Sequence, residues 1–383
     1  MTINIVDYGA RTQNSNNAEC IQKAIDSLTK GGTLVIPSGV FVTGGLKLRS
    51  DICIILEPGA VLKAHTDISK YMMNGYFDSF GKETNSLIIA KNCKNITICG
   101  DGAIDLSGKE FVDFEPHGEQ IQMSTEDFLQ MPAIPLDRPR RPILFDGCTN
   151  IKIKDITVFD SPCWTFTLHN CNDIFVSKIS VKNNPRIPHN DGIHLTACRD
   201  AIITDCSFVC GDDCIAITSL FDYSIITENI VISNCIMSSR SAALRIGHIS
   251  SKIKNIIASN LIIKDTNRGI AIFAGDGGSV ENVRISNVIA HTKLFKGGWW
   301  GKGEPFVLCT YNSTGKIKNV FINSMTAFSD NSGVIAGNNI ENESFADVSL
   351  NVDFSKFKDD KYELCPNGFA DRNEKQNDIV YLS

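Results

Sequence analysis

The stretches NIKIKDITVF (residues 150–159) and DIFVSKISVK (residues 173–182) decide the fold of this chain. In both, β-branched and apolar residues alternate with polar ones, and a second apolar pair follows a two-residue kink, as in short β-strands. Similar stretches begin at Asn95, Asn150, Asp173, Asp200, Asn229, Asn255, Asn282 and Asn319. Between Asn150 and Asn282 they follow each other every 23 to 29 residues, and such a period indicates a solenoid. The gaps are too short for the helices of a doubly wound α/β fold.

The repeats therefore predict an all-β protein, a right-handed parallel β-helix that forms a single domain over residues 1–383. Each turn would contribute short strands that pair with the turns before and after it, so inward positions stack Ile on Ile, Val on Val and Cys on Cys. Asn side chains at the bends are expected to continue their amide hydrogen bonds as a ladder.

Four segments depart from the repeat. Residues 17–30 have one apolar helical face and stop at Gly31-Gly32, which predicts a helix that caps the first turn. Residues 353–383 form a charged tail, which is expected to cover the other end, because open sheet edges need protection. Residues 105–141 and 292–305 are insertions, and we expect them to gather on one side and shape a cleft.

Composition narrows the class of protein. The net charge of −6 argues against a nucleic-acid groove, and no apolar run reaches the roughly 18 residues of a membrane span. The first ten residues, MTINIVDYGA, show no secretory signal. The fourteen cysteines have no CxxC pair, and Cys93, Cys148, Cys171 and Cys198 each lie two residues before an Asn or Asp. Repeated positions suggest stacked free thiols, which favour a cytoplasmic protein.

Two acidic stretches carry the chemical signal, HNDGIH (residues 189–194) and GDDC (residues 211–214). Asp191 precedes Asp212 by 21 residues, just under one period, so Asp191 is expected on the turn next to Asp212 and Asp213. Converging carboxylates suit a metal site, or the acid and base of glycoside hydrolysis. The bland alternative is a solvated acidic turn.

The chain resembles glycoside hydrolase family 28, the polygalacturonase family, over nearly its whole length. The entry region NIVDYGA, IQKAID and GGTLVIPSGVFVTGGLKLRSD resembles that superfamily's first module, and NDGIHLTACRDAIITDCSFVCGDDCIAITS resembles its catalytic core. The runs at Ala242–Gly247, Arg268-Gly269 and WWGKGEP are similar to a bacterial branch of the family.

The resemblance implies hydrolysis with inversion, no cofactor and no metal. Asp212 matches the general acid, and Asp191 and Asp213 match the pair that holds and deprotonates the attacking water. Because Asp212 is flanked by two carboxylates, its pKa should be raised, so that it can stay protonated and deliver its proton. Inversion requires roughly 6.5–9.5 Å between the acid and base carboxyls.

Three departures from the family pattern concern the substrate. His189 stands where the family has Asn, and residues 238–247 lack the family's catalytic-site His, with His248 just beyond. Ala271 and Phe273 stand where the family has an Arg-x-Lys clamp for the galacturonate carboxylate. The sugar is therefore either a galacturonate or a neutral unit such as rhamnose, xylose or apiose, with Phe273 as an apolar wall.

Further candidates for substrate binding come from residue type and position. The arginines could replace the clamp, the polar residues around Asp191 could contact hydroxyl groups or orient the base, and the tryptophans could stack on a pyranose. These candidates are His189, Asn190, His194, Arg186, Arg240, Arg245, His248, Arg268, Trp299 and Trp300.

The preferred interpretation is an exo-acting glycosidase on oligosaccharides or glycosides, with no nucleic-acid or membrane partner. Two alternatives stay open. A polysaccharide lyase on the same scaffold would need a calcium cage and a basic proton abstractor. A non-catalytic, tailspike-like carbohydrate-binding solenoid would explain the missing His and clamp, but it gives no reason for three clustered acids.

Overall fold

The computed structural model describes residues 1–78, 81–311, 314–353, 355 and 379–382. In these residues two large sheets wind along one right-handed parallel β-helix, and all but one of their strand pairs are parallel, as the sequence predicts. The first sheet has 19 strands and the second has 11. No helix in this part of the chain is long and apolar enough to cross a membrane.

The strands of the first sheet are Thr2–Asn4, Gly32–Ile36, Gly39–Thr43, Ile52–Leu56, Ala60–Ala64, Lys94–Cys99, Ala103–Asp105, Thr149–Lys154, Thr157–Phe159, Asn172–Ser177, Ser180–Lys182, Arg199–Thr204, Ser207–Cys210, Thr227–Ser239, Lys252–Thr266, Ser279–Thr292, Lys316–Ser329, Ile340–Glu341 and Ser344–Val352. Those of the second sheet are Leu46–Lys47, Ile88–Lys91, Ile143–Asp146, Phe166–His169, Ile193–Thr196, Ile215–Thr218, Ala242–Ile246, Arg268–Ala274, Glu304–Thr310, Gly333–Ala336 and Ile379–Leu382.

Smaller elements lie between these strands. Two short antiparallel pairs join Met72–Phe77 to Glu83–Ser86 and Val112–Asp113 to Ile134–Pro135. The α-helices are Ala18–Ser27 and Thr125–Phe128, and the 3-10 helices are Ile5–Tyr8, Ile68–Lys70, Gly108–Phe111 and Gly118–Gln122.

The interior is built from stacked rows of apolar side chains, one from each turn. One row of the first sheet is paired residue to residue and is fully buried: Ile96, Ile151, Ile174, Ala201, Ile230, Ile256, Val283 and Val320. Each member gains its burial only from the turns on either side, so the repeated sequence and the repeated fold depend on each other.

The expected asparagine ladder is present at the bends. The amide of Asn255 donates to Asn229 at 3.0 Å, Asn282 donates to Asn255 at 3.0 Å, and Asn319 donates to Asn282 at 2.9 Å. These residues have φ of 56° to 61°, in the left-handed region that Asn adopts more readily than most residues. The repeated Asn therefore both turns the chain and links one turn to the next.

The cap helix is shorter than the predicted 17–30, because it spans Ala18–Ser27. The side chain of Asn17 makes no cap hydrogen bond, since its oxygen accepts from Arg11 N and Asn14 Nδ2 instead. The carboxamide oxygen of Asn16 accepts from Ala18 N at 2.9 Å. At the other end, Gly31 N donates to Leu28 O, and this turn ends the helix before the glycines.

Most of the predicted tail, 353–383, lies outside the described residues. Within it, Ile379–Leu382 forms a strand antiparallel to Gly333–Ala336, the last parallel strand of the second sheet. Every cysteine in the described part of the chain is a free thiol, and Cys148, Cys171 and Cys198 are buried. Cys148 N donates to the sulfur of Cys171 at 3.4 Å, which fits the predicted stacking.

Candidate active site

The three aspartates lie where the chain bends into neighbouring strands of the second sheet. Asp191 precedes Ile193–Thr196, and Asp212 and Asp213 precede Ile215–Thr218. These strands are paired in parallel, and Gly192 N donates to Asp213 O at 2.9 Å. Asp191, Asp212 and Asp213, here called the trio, are at most 7% exposed. The structure thus brings together the carboxylates that the one-period spacing predicted as neighbours.

Residues of the next turn bind both carboxylate oxygens of Asp213. It accepts from Ser241 Oγ at 2.9 Å and from Ala242 N at 3.1 Å, and its other oxygen is paired with Arg245 Nε. The Arg245 side chain is only 16% exposed, so this ion pair is largely removed from water. Arg245 therefore acts on the trio through Asp213, which engages its Nε.

Asp191 is oriented by a histidine on its own strand. His194 Nδ1 lies 3.1 Å from Asp191 Oδ2, and His194 Nε2 lies 3.0 Å from Thr218 Oγ1. Burial lowers the pKa of His194 well below its usual value, so the ring is neutral. A neutral ring can donate from Nδ1 to Asp191 while Nε2 accepts from the Thr218 hydroxyl.

The second oxygen of Asp191, Oδ1, is buried and has no hydrogen-bond partner among the described residues. Burial, and then the charges of Asp212 and Asp213, raise the pKa of Asp191 well above its usual value. A buried carboxylate oxygen without a partner is costly, and it is the kind of acceptor that an incoming water or hydroxyl group would satisfy.

Asp212 has the electrostatics of an acid. Burial, and then the charge of Asp213, raise the pKa of Asp212 to about 7. Its nearest histidine is His189, whose Nδ1 lies 3.7 Å from Asp212 Oδ2. Burial, and then the charges of Arg138 and Arg140, lower the pKa of His189 to about 4. Between about pH 4 and pH 7 the proton of this corner is therefore on Asp212 and not on His189.

Asn190 braces the site from inside. It is fully buried, its amide donates to Asn184 O at 2.9 Å, and its oxygen accepts from Gly211 N on the next turn. Asn190 therefore ties the Asp191 bend to the Asp212 bend, a positioning role in place of the expected contact with substrate.

Three of the arginines expected as clamps are engaged with other groups. Arg186 donates to Met131 O at 2.9 Å, and its guanidinium lies over Phe128. Arg240 lies over the ring of Phe295 at 3.7 Å. Arg268 is 3% exposed and pairs with the buried Glu304 at 3.3 Å. Burial, and then the charge of the nearby Arg245, lower the pKa of His248 to about 3.

The two tryptophans of the second insertion have different roles. Trp299 is 3% exposed and donates from Nε1 to Gln130 O at 2.7 Å, so it packs against the first insertion and offers no stacking platform. Trp300 is half-buried, and its ring meets the His189 ring edge-on at 4.9 Å. Trp300 is therefore the tryptophan of this pair that the structure brings to the trio.

The strand that should carry the family clamp is apolar and closed. Ala271 and Phe273 are 0% and 2% exposed, and they pack in a cluster with Val307, Cys309 and Tyr311. The expectation that Phe273 forms an open apolar wall for a sugar is therefore wrong, because packing buries that ring.

Apart from His189, sequence reasoning missed a group of residues on the side of the trio that faces the earlier turns. Arg140, Arg141, Trp164 and His189, together with Asp78, Thr84 and Cys163, line a pocket of about 140 Å³. The ring of Trp164 lies 4.1 Å from that of His194, between centroids. The run DRPRRP (residues 137–142), at the end of the first insertion, was the available signal. Among the described residues, no three His, Cys, Asp or Glu side chains are grouped so that they could hold a metal ion.

Together, the fold and the trio define a parallel β-helix protein with a buried carboxylate site. The chain belongs to the Glycosyl hydrolases family 28, whose sequence model matches residues 27–335. It is 28% identical over 326 residues to a probable polygalacturonase of Vitis vinifera, covering 78% of this chain and 62% of the plant protein.

Two other proteins show how far the similarity reaches. A polygalacturonase of Persea americana is 22% identical over 302 residues, which cover 76% of this chain and 59% of that protein. The chain thus spans less than two thirds of the length of either plant relative. The solved exopolygalacturonase from Thermotoga maritima has a TM-score of 0.70 at 20% identity over 92% of both chains, which supports the fold.

Proposed function

We propose that this protein is an inverting glycoside hydrolase that removes a terminal glycosyl unit from pectic or other plant-derived oligosaccharides or glycosides. The observation that carries the proposal is Asp212, a buried carboxyl whose pKa is raised to about 7 by burial and then by the charge of Asp213. A carboxyl with a pKa of about 7 keeps its proton in roughly half of the molecules at pH 7 and can protonate a leaving oxygen, and two more carboxylates lie beside it.

The roles of the other two aspartates follow from their contacts. Asp191 Oδ1 has no hydrogen-bond partner among the described residues, and in the ionised form of Asp191 it would accept a proton from the attacking water, while His194 holds Oδ2. Asp213 is fixed by Arg245, Ser241 and Ala242, so it would orient the water and balance the charge of Arg245. Because the carboxyls interact, their pKa values belong to the trio as a coupled set.

Exo action is supported by a direct junction between the two insertions. Trp299 Nε1 donates to Gln130 O at 2.7 Å, and Lys296 Nζ lies 2.7 Å from Asp127 Oδ1. The first insertion precedes strand Ile143–Asp146 and the second precedes Glu304–Thr310, so the junction spans the turns that carry the trio. A wall of this kind would restrict the cleft to a chain end.

The test of the acid is Asp212→Asn, which keeps the shape but cannot donate a proton. We expect activity on a natural glycoside to fall by at least ~10³-fold with folding intact. A nitrophenyl glycoside, whose leaving group needs no proton, should lose much less. Equal losses on the two substrates would show that Asp212 is not the acid.

Two product measurements test the remaining steps. Proton NMR of the first product should show the inverted anomer, and a labelled oligosaccharide should shorten from one end only. Products that absorb in the ultraviolet, with activity stopped by EDTA, would indicate a lyase instead. Absence of any hydrolysis, with sugar binding intact, would indicate the non-catalytic carbohydrate-binding alternative.

We also propose a cytoplasmic location, which the free, partly stacked thiols support. Alkylation of the denatured protein without reductant should then label all fourteen cysteines. Several disulfides in freshly isolated protein would contradict this proposal.

A further inference from the structure

The pocket of about 140 Å³ lies on the side of the earlier turns, and two of its lining residues connect it to the trio. One lining residue, His189, has its Nδ1 3.7 Å from Asp212 Oδ2. Another, Trp164, has its ring centroid 4.1 Å from that of His194 at an interplanar angle of 37°, and His194 binds Asp191. A unit in this pocket would therefore adjoin the bond that the trio acts on. The volume is below the roughly 300–1,000 Å³ of pockets for drug-sized ligands, so it suits one sugar ring or less.

The polar groups of this pocket are mainly cationic. Arg140 and Arg141 contribute two positive charges and Asp78 one negative charge, which leaves one positive charge in excess. His189 does not add to it, because burial and then Arg138 and Arg140 lower the pKa of His189 to about 4.

Arg141 is held rigidly at the back of the pocket. It is 6% exposed, its Nη1 donates to Thr84 Oγ1 at 2.6 Å, and its guanidinium lies between the rings of Tyr76, Trp164 and Phe221. Its Nε is buried without a hydrogen-bond partner among the described residues. Burial also lowers the pKa of Arg141 to about 10, because the charged guanidinium has lost contact with water. An anion nearby would offset this cost of desolvation.

Arg140 is the more accessible of the two. Its side chain is 34% exposed, and its Nη2 lies 3.8 Å from Asp78 Oδ2, which is longer than a hydrogen bond. A planar guanidinium in this state can still make a two-point contact with a carboxylate. Trp164 offers an aromatic wall beside it.

We propose that Arg140 and Arg141, with the wall formed by Trp164, make a subsite for a carboxylate-bearing sugar unit next to the scissile bond. The proposal rests on the hydrolase function proposed above, and it narrows the substrate class to acidic oligosaccharides. It assigns the carboxylate contact to the first insertion, residues 105–141, and not to the strand Arg268–Ala274.

The test compares two substrates, an oligogalacturonide and the same oligosaccharide with its carboxyl groups reduced to alcohols. We expect the wild type to prefer the acidic substrate in kcat/KM. Arg140→Gln should lower the ratio of acidic to reduced substrate by roughly 10- to 100-fold, mainly through KM, because a charge-assisted contact is lost. The matched control is Arg199→Gln, since Arg199 makes a similar partly exposed pair with Glu228 at 3.6 Å in the first sheet. Its ratio should match the wild type.

A binding measurement separates this proposal from the hydrolase proposal. D-galacturonate and D-galactose are titrated into Asp212→Asn, with tryptophan fluorescence and calorimetry as readouts, so no turnover is needed. Preferential binding of galacturonate that Arg140→Gln removes supports the subsite even if no hydrolysis is found. Equal binding of the two sugars, or a galacturonate preference that survives Arg140→Gln, overturns the subsite whether or not the protein is a hydrolase.

Discussion

The two flanks of the trio lie on one continuous sheet and have opposite chemistry. One outward row of the second sheet runs, strand by strand, through Thr167, His194, Ala216, Arg245, Ala271, Val307 and Val334. His194 and Arg245 of this row contact the trio, whereas Ala271, Val307 and Val334 are buried and apolar. The flank of the earlier turns instead presents Arg140, Arg141 and Trp164 around a pocket. The sheet continues through both flanks, so the difference between them comes from the side chains of its strands and from the first insertion, which brings Arg140 and Arg141 to the flank of the earlier turns.

The sharpest test of this contrast breaks one buried ion pair in the trio and one on the apolar flank. Arg245→Met removes the charge that pairs with Asp213, and Arg268→Met removes the charge that pairs with Glu304. Either change should lower the free energy of unfolding by about 3–5 kcal/mol at pH 7. Arg245→Met should also lower kcat/KM by about 10²-fold or more, because it removes a fixed charge beside the reacting groups.

Urea denaturation and initial rates, measured where both variants are folded, separate the two effects. Arg268→Met should lose stability without a comparable loss of activity. If Arg268→Met lost as much activity as Arg245→Met, the apolar flank would be part of the site.

Charges placed on the apolar flank should fail to create a clamp. The double variant Ala271→Arg with Phe273→Lys restores the residue types of the family's carboxylate clamp at the matching positions. Because both positions are buried in an apolar cluster, we now expect the double variant to lose about 3 kcal/mol or more of unfolding free energy.

The apolar control, Ala271→Val with Phe273→Leu, should cost less, about 1–3 kcal/mol in total from overpacking and a small cavity. Thermal and urea unfolding measure both. A charged variant as stable as the wild type, with a gain in turnover of oligogalacturonide, would show that this flank is open to substrate.

The same contrast explains what the sequence could predict. The stacking of turns follows from the repeated Asn bends and alternating apolar residues, so the positions of Asp191, Asp212 and Asp213 relative to one another could be inferred from the period alone. Arg140 and Arg141 lie at the end of an insertion without a period, so no register places them. Their location depends on contacts such as Lys82 with Asp137 and Arg186 with Met131, which join distant parts of the chain.

The other candidate arginines show the same limit. Arg186, Arg240 and Arg268 had suitable residue type and position along the chain, but Met131, Phe295 and Glu304 engage them. Trp299 and Trp300 are adjacent in sequence, and yet one packs inward and the other meets His189. Alternation along a strand indicates a face, whereas the partner on that face is decided by residues far away in the sequence.

Between the two flanks, the raised pKa of Asp212 predicts a cost in stability that depends on pH. The pKa of Asp212 is about 7 in the folded protein and near 3.8 when unfolded. The folded state therefore binds the proton more tightly, and this cost is absent below the unfolded pKa and complete above about pH 7.

Asp212→Asn should raise the unfolding free energy at pH 8 by about 1 kcal/mol or more and change it little at pH 4. The matched control for loss of a carboxylate is Asp205→Asn, at an exposed bend between two strands of the first sheet. A gain for Asp212→Asn that is the same at pH 4 and pH 8 would contradict the raised pKa.

The smallest expected effect comes from removing the charge of Asp78, the acidic residue among those that line the pocket. Asp78 Oδ2 lies 3.8 Å from Arg140 Nη2, while Asp78 Oδ1 accepts from Lys82 N at 3.0 Å. Asp78→Asn keeps the oxygen that accepts from Lys82 but removes the charge that competes for Arg140. Because partly exposed ion pairs contribute at most about 1 kcal/mol, the preference for the acidic over the reduced oligosaccharide should rise by about two- to fivefold. Glu228→Gln, at the Arg199 pair, should leave the preference unchanged.

Arg140→Gln and Asp78→Asn thus change the preference for the acidic substrate in opposite directions if a substrate carboxylate competes with Asp78 for the same guanidinium. A fall in preference for Asp78→Asn would mean instead that Asp78 holds Arg140 in place for another purpose.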